Sequence, residues 1–234
     1  MGYNKGINDR MEYYRLVIWN SHEDETIRSR FEPFGIDEER HLANKALFNE
    51  ASDLIAKNES EHAEWRKASD VFSATQDSAR RKKTKIAQFL KFWYDADSPE
   101  AIDLGLYNNK ISKYSDLMKT GRQFYSVLLA NEAILTKLIP FGYTTESITA
   151  DQNELLSLDN LRQKREQESG DAQVSTKERN AKLDELDERV SEMVRLARLI
   201  FQAAEAQCLE KLGVVVRSYL GFRDAIYRLQ CCKC

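Results

Sequence analysis

The chain has 234 residues, 42% of them hydrophobic and 31% charged, with only three prolines and nine glycines. Its formal net charge of −3 lies close to balance, which excludes a global electrostatic pull toward nucleic acid or an anionic membrane surface. Few helix breakers beside abundant Ala, Leu, Glu, Lys, Arg and Gln indicate an all-α fold.

A first helix is predicted from about Asn8 to Arg30, because Met11, Tyr14, Val17 and Ile18 recur at helical spacing. Pro33 and Gly35 end it, so residues 1–35 read as an N-terminal helical segment. Asp37 is a plausible N-cap for the next segment, 36–107. Here Leu47, Ala51, Leu54 and Ile55 make one apolar stripe, and Trp65, Ala68, Phe72, Ala79, Ile86, Phe89, Leu90 and Trp93 make a second. The polar run from Asn58 to Glu64 between them is expected to turn the chain back as a helical hairpin, the alternative being one continuous helix. Ser98-Pro99 reads as cap and first position of a short helix, and Gly105 with Asn108-Asn109 as a turn. A central helix from about Ser112 to Leu138 fills most of segment 108–142, with Tyr114, Leu117, Met118, Tyr125, Leu128 and Leu129 as its buried face.

Segment 143–213 starts at a Thr144 or Thr145 cap and continues through Ile148, Leu155, Leu158 and Leu161. Gly170-Asp171 signals a turn, and Ser175-Thr176-Lys177-Glu178 matches a capping box. Leu183, Leu186, Val190, Met193, Ala197, Ile200 and Ala204 then alternate at three and four residues, a heptad-like seam that suits side-by-side helix packing. A final helix from about Val215 to Gln230 and a cysteine-rich tail make up 214–234.

These segments show internal self-similarity. Pro33-Phe34-Gly35 recurs 107 residues later as Pro140-Phe141-Gly142, and Leu104-Gly105 recurs 108 residues later as Leu212-Gly213. Ile86, Phe89, Leu90, Phe92 and Trp93 face Val194, Ala197, Arg198, Ile200 and Phe201 at the offset of 108. The expected architecture is therefore an elongated antiparallel helical bundle of two tandem pseudo-repeats with short flanking helices. Few polar residues hold the same place in both copies, which fits two packing units better than a twofold catalytic site.

Little chemistry is legible. Glu38-x-x-His41 and Glu59-x-x-His62 have the spacing that places two metal ligands on one helix face, but the second repeat has Thr145 and Ile148 where the first has Glu38 and His41. Exposed helical histidines are the simpler expectation. The basic cluster Arg80-Arg81-Lys82-Lys83-Thr84-Lys85 reads as a solvated face paired with acids such as those from Asp184 to Glu188, since no glycine-rich loop or interleaved aromatics accompany it. The aromatic run from Phe89 to Tyr94, with Phe124, Tyr125 and Trp19, reads as core before ligand pocket. Asn58-Glu59-Ser60 matches a glycosylation sequon of the kind that arises by chance. P-loop, nucleotide-binding glycine, nucleophile-elbow and His-Glu-x-x-His motifs are lacking. Almost no ionisable residue is expected on the core stripes.

The C-terminus is the unusual feature. Cys231, Cys232 and Cys234 end the chain, with Cys208 apart from them as a small apolar packing residue. Three close thiols suit a thiolate-bound metal ion or disulfides between subunits. Adjacent Cys231 and Cys232 would form only a strained bond with each other. No apolar run reaches the roughly 20 residues that span a bilayer, and no signal peptide is seen, so a cytoplasmic address is the default. The resulting expectation is a non-enzymatic structural or interaction protein that self-associates into an oligomer or filament, with no nucleic acid and no evident small-molecule substrate. The alternative is a metal- or redox-responsive binding protein acting through Cys231, Cys232 and Cys234.

Overall fold

The computed structural model describes residues 6–107, 113–201 and 205–215. Among them there are helices and no strands. In chain order these are α1 (Ile7–Glu23), α2 (Glu25–Phe31), α3 (Glu38–Trp93), α4 (Pro99–Asp103), α5 (Tyr114–Ala130), α6 (Glu132–Leu138), α7 (Thr145–Ile200) and α8 (Ala206–Lys211). The turn residues Asn108 and Asn109, Ala204 of the heptad seam, most of the predicted helix from Val215 to Gln230, and Cys231, Cys232 and Cys234 lie outside the described residues.

The first predicted helix is two helices. Asp24 adopts extended backbone, and its carboxylate accepts from the N–H groups of Thr26 and Ile27, so it caps α2 and interrupts the run. Asn131 does the same between α5 and α6, accepting from Ile134 N. The apolar stretch Val127 to Ile139 is broken there, and α5 meets the segment Glu132–Phe141 at 93°. No single helix among the described residues is long and apolar enough to cross a membrane.

Each Pro-Phe-Gly forms one turn of 3-10 helix closed by a glycine at positive φ, +81° for Gly35 and +84° for Gly142. That left-handed conformation is one a Cβ disfavours, hence glycine at both positions. The closing bonds match as well: Ile36 N donates to Phe31 O and Tyr143 N to Leu138 O, each at 3.4 Å. Asp37 then caps α3 through Arg40 N, and Thr144 caps α7 through Ser147 N.

The hairpin expectation is overturned. Helices α3 and α7 are each continuous over 56 residues. No Gly or Pro breaks the stretch from Asn58 to Glu64, and Asn58 is buried, donating from Nδ2 to Ser175 Oγ and Thr176 Oγ1, both at 2.9 Å. The hydroxyls that resembled a capping box thus bond across helices inside α7. Gly170 also sits inside α7, where it costs about 1 kcal/mol relative to Ala without ending the helix.

The chain forms two compact units, with boundaries inside both long helices. Unit 1 draws on Met1–Asn58 and Ser175–Cys234, and unit 2 on Glu59–Val174. In unit 1 the start of α3 runs antiparallel to the end of α7, shown by Arg40 on Glu192 and Lys57 on Glu178. Its core joins Val17 and Ile18, Ile27 and Phe31, Ala51, and the seam Leu183, Leu186, Val190, Met193 and Ala197. In unit 2 the later part of α3 runs antiparallel to the first part of α7, shown by Lys82 on Asp151 and by Arg165 stacked 4.4 Å from the Phe72 ring centre. Its core joins Ile86 and Leu90, Leu104, Leu117, Phe124, Tyr125 and Leu128, Ile134 and Leu138, and Ile148, Leu155 and Leu158. Each fully buried Val, Leu, Ile, Phe or Met side chain among these contributes about 1.5–3 kcal/mol. Trp65, expected in the core stripe, is 37% exposed.

Candidate functional site

In unit 1 a histidine pair joins α1 to the buried face of α3. Glu38 and His41 share a face one turn apart, and His22 of α1 packs against both. His22 Nε2 donates to Glu38 Oε2 at 2.8 Å, and the rings of His22 and His41 stack with centroids 5.0 Å apart and planes 23° apart. His41 is fully buried, and neither of its ring nitrogens has a hydrogen-bond partner among the described residues. Burial, aided by neighbouring His22, pushes His41 down to about 4, so its ring is neutral at neutral pH. The hydrogen bond from His22 lowers Glu38. His41 and Lys83 therefore correct the expectation that ionisable groups avoid the core stripes, for both side chains are buried.

The second Glu-x-x-His behaves differently. Glu59 is exposed, and His62 lies edge-on to Trp65, with ring centroids 6.2 Å apart. Glu38 and His41 belong to unit 1, whereas Glu59 and His62 belong to unit 2. Among the described residues, the one group of His, Cys, Asp and Glu close enough to share an ion is Glu61, Glu168 and Asp171. It contains neither histidine of the two motifs.

The basic cluster is not one solvated face. Lys82 pairs with Asp151 and Glu154 of α7, not with the acids from Asp184 to Glu188. Lys83 turns inward to Thr120 Oγ1 at 2.9 Å. The buried Nε of Arg80 has no hydrogen-bond partner among the described residues. The aromatic run divides similarly: Phe124 and Tyr125 are core, while Phe92 is 85% exposed. Asn58, the sequon residue, is 2% exposed, which removes it from a glycosylating enzyme in the folded chain. Cys208 is a half-buried free thiol.

Each unit also presents apolar surface beside its Pro-Phe-Gly turn. In unit 1, Pro33, Phe34, Leu196, Leu199 and Ile200 line an open groove together with Ser29 and Arg30. Leu199 is 82% exposed and Phe34 61%. In unit 2, the Phe141 ring lies 5.0 Å from Phe89 and 5.5 Å from Trp93, and Phe92 of α3 and Ile139 of the turn are exposed as well. Single exposed apolar residues are ordinary, but contiguous groups of them mark interaction sites. Sequence reading missed these surfaces because an exposed Leu or Phe at helical spacing looks like core.

No family model, curated protein or solved structure matches this chain.

Proposed function

We propose that the chain is a non-enzymatic structural or interaction protein, a duplicated helical bundle that self-associates through its two apolar surfaces. The duplication is supported by element bounds. Adding 107 to Ile7–Glu23, Glu25–Phe31 and Glu38–Trp93 gives Tyr114–Ala130, Glu132–Leu138 and Thr145–Ile200, the bounds of α5, α6 and α7. The interior register is therefore 107, not 108: Leu90 matches Ala197, both fully buried, instead of Arg198.

The observation that carries self-association is the matched pair of surfaces. Phe34 and Leu199 in unit 1 stand at the offset of Phe141 and Phe92 in unit 2. A molecule with two like apolar patches is bivalent, and a second copy supplies a surface of the same chemistry for each. Contacts of that kind close into a ring or continue as a filament, depending on the rotation between copies. Sedimentation across a broad concentration range tests this. The wild type is expected to form larger species, and Phe92→Glu with Leu199→Glu is expected to return it to monomer. A wild type that stays monomeric throughout would overturn the proposal.

The clustering of Cys231, Cys232 and Cys234 motivates a second reading, a thiolate-bound metal or disulfides between subunits. Replacing all three with Ser should then abolish metal uptake or make association insensitive to reductant. Unchanged behaviour would remove this reading and leave the apolar surfaces as the only contact.

A further inference from the structure

Lys83 is a buried charged residue outside the apolar core of unit 2, and the proposed association makes no use of it. It is 4% exposed, on the buried side of α3 between Ala79 and Ile86. No carboxylate pairs with it among the described residues; its Nζ donates to Thr120 Oγ1 and lies 5.6 Å from the centre of the Phe124 ring. The Thr120 hydroxyl donates onward to the main-chain oxygen of Asp116 at 2.7 Å. A hydroxyl and a ring face solvate an ammonium in part, but they leave its charge uncompensated. Burial accordingly pushes Lys83 down to about 8. The adjacent Lys82 is paired with two carboxylates, so acids were within reach of this stretch of helix.

Lys83 lines a cleft of about 190 Å³ shared with Thr84, Gln88, Lys91, Leu106 and Phe124. Among the described residues, the cleft lining holds two lysines and no acid. Lys91 is exposed, with its Nζ 4.8 Å from the Tyr107 ring centre. Thr84 and Gln88 add neutral hydrogen-bonding groups, and Leu106 and Phe124 add apolar wall. Sites for drug-sized ligands run from about 300 to 1,000 Å³, so this one suits only a smaller molecule.

The chain contains its own control. At the offset of 107, α7 places Val190 where α3 places Lys83, and Val190 is 1% exposed in the core of unit 1. Tyr13 stands where unit 2 has Thr120, and Val17 where it has Phe124. A helix of the same length packs with valine at that position, so packing does not require the lysine. An ammonium that the fold does not need, without a counter-charge, beside a cleft with a second lysine, is the arrangement an anionic ligand completes.

We propose that this cleft binds a small oxyanion, a carboxylate or a phosphate, with Lys83 as the buried charge partner and Lys91 as the exposed one. Calorimetric titration with butyrate and with inorganic phosphate, at constant ionic strength and against chloride, tests it and separates the two sources. The wild type should show saturable binding of at least one anion and none of chloride. Lys83→Met, which keeps the length and removes the charge, should abolish it while circular dichroism shows an intact fold. Lys91→Gln, at an exposed position, should weaken it several-fold; if Lys83→Met fails to fold, this variant carries the comparison. Absence of saturable binding by either anion, equal binding in a folded Lys83→Met, or unchanged affinity in Lys91→Gln would overturn the proposal.

Discussion

Val190 and Lys83 hold the same place in two helices of 56 residues, and so do Ile148 and His41. All four side chains are buried, but unit 1 puts the valine and the histidine where unit 2 puts the lysine and the isoleucine. At each of these two helix positions, one unit buries an apolar side chain and the other an ionisable one. A bundle interior selects for volume and apolar surface, and a buried ionisable group costs stability unless it is paired. Among the described residues, neither His41 nor Lys83 has a carboxylate bonded to it. The difference sets buried residues that supply apolar surface apart from buried residues that carry an ionisable group.

The comparison breaks most severely if the lysine is moved. Val190→Lys places an ammonium among Leu186, Met193 and the rest of the unit 1 core, where Tyr13 stands at the offset position of Thr120. Its expected cost is about 3–5 kcal/mol, the range for an uncompensated buried charge, read from urea unfolding. A loss below about 1 kcal/mol would show that the two sites are equivalent after all.

Acid sharpens the second pair. His41 titrates at about 4 in the folded chain against 6.5 as its ordinary value, so the folded state binds fewer protons than the unfolded state between these values. The stability associated with neutral His41 is complete above pH 6.5 and falls as the pH drops toward 4, by about 3 kcal/mol at 1.36 kcal/mol per pH unit. His41→Leu, which imitates Ile148, should flatten that part of the stability–pH curve and leave stability near pH 8 almost unchanged. An equally steep acid limb in the variant would assign the slope to other groups.

Smaller effects should be equal in the two units. A Cβ at Gly35 or Gly142 meets nothing within 4 Å, so Gly35→Ala and Gly142→Ala each cost only the left-handed conformation, about 1–2 kcal/mol. Unequal costs would mean that the two turns are not energetic counterparts. Smallest is Lys82→Ala: the lysine side chain is 41% exposed, and loss of its pairs with Asp151 and Glu154 should cost about 1 kcal/mol or less in thermal unfolding.

Helix content, the caps at Asp37 and Thr144, the seam from Leu183 to Ala197 and the likeness of the two Pro-Phe-Gly turns were legible because each rests on local spacing. The breaks at Asp24 and Asn131 were less so, since one side chain capping two or three residues ahead leaves the apolar period almost undisturbed. Continuity through Asn58 was hidden because a polar run reads as a turn until its partners, Ser175 and Thr176, come from the other helix. His22 meeting His41 is likewise tertiary. Lys83 did leave a signal: it sits four residues after Ala79 and three before Ile86, on the apolar stripe. Reading it as part of a basic cluster masked that position.

The most direct test is urea unfolding of Lys83→Met at pH 7, without added anion. The account predicts a variant more stable than the wild type by up to about 3 kcal/mol, the cost of holding at about 8 a group that ordinarily titrates at 10.5. A loss of about 2 kcal/mol or more would contradict it, for it would make Lys83 part of what holds unit 2 together.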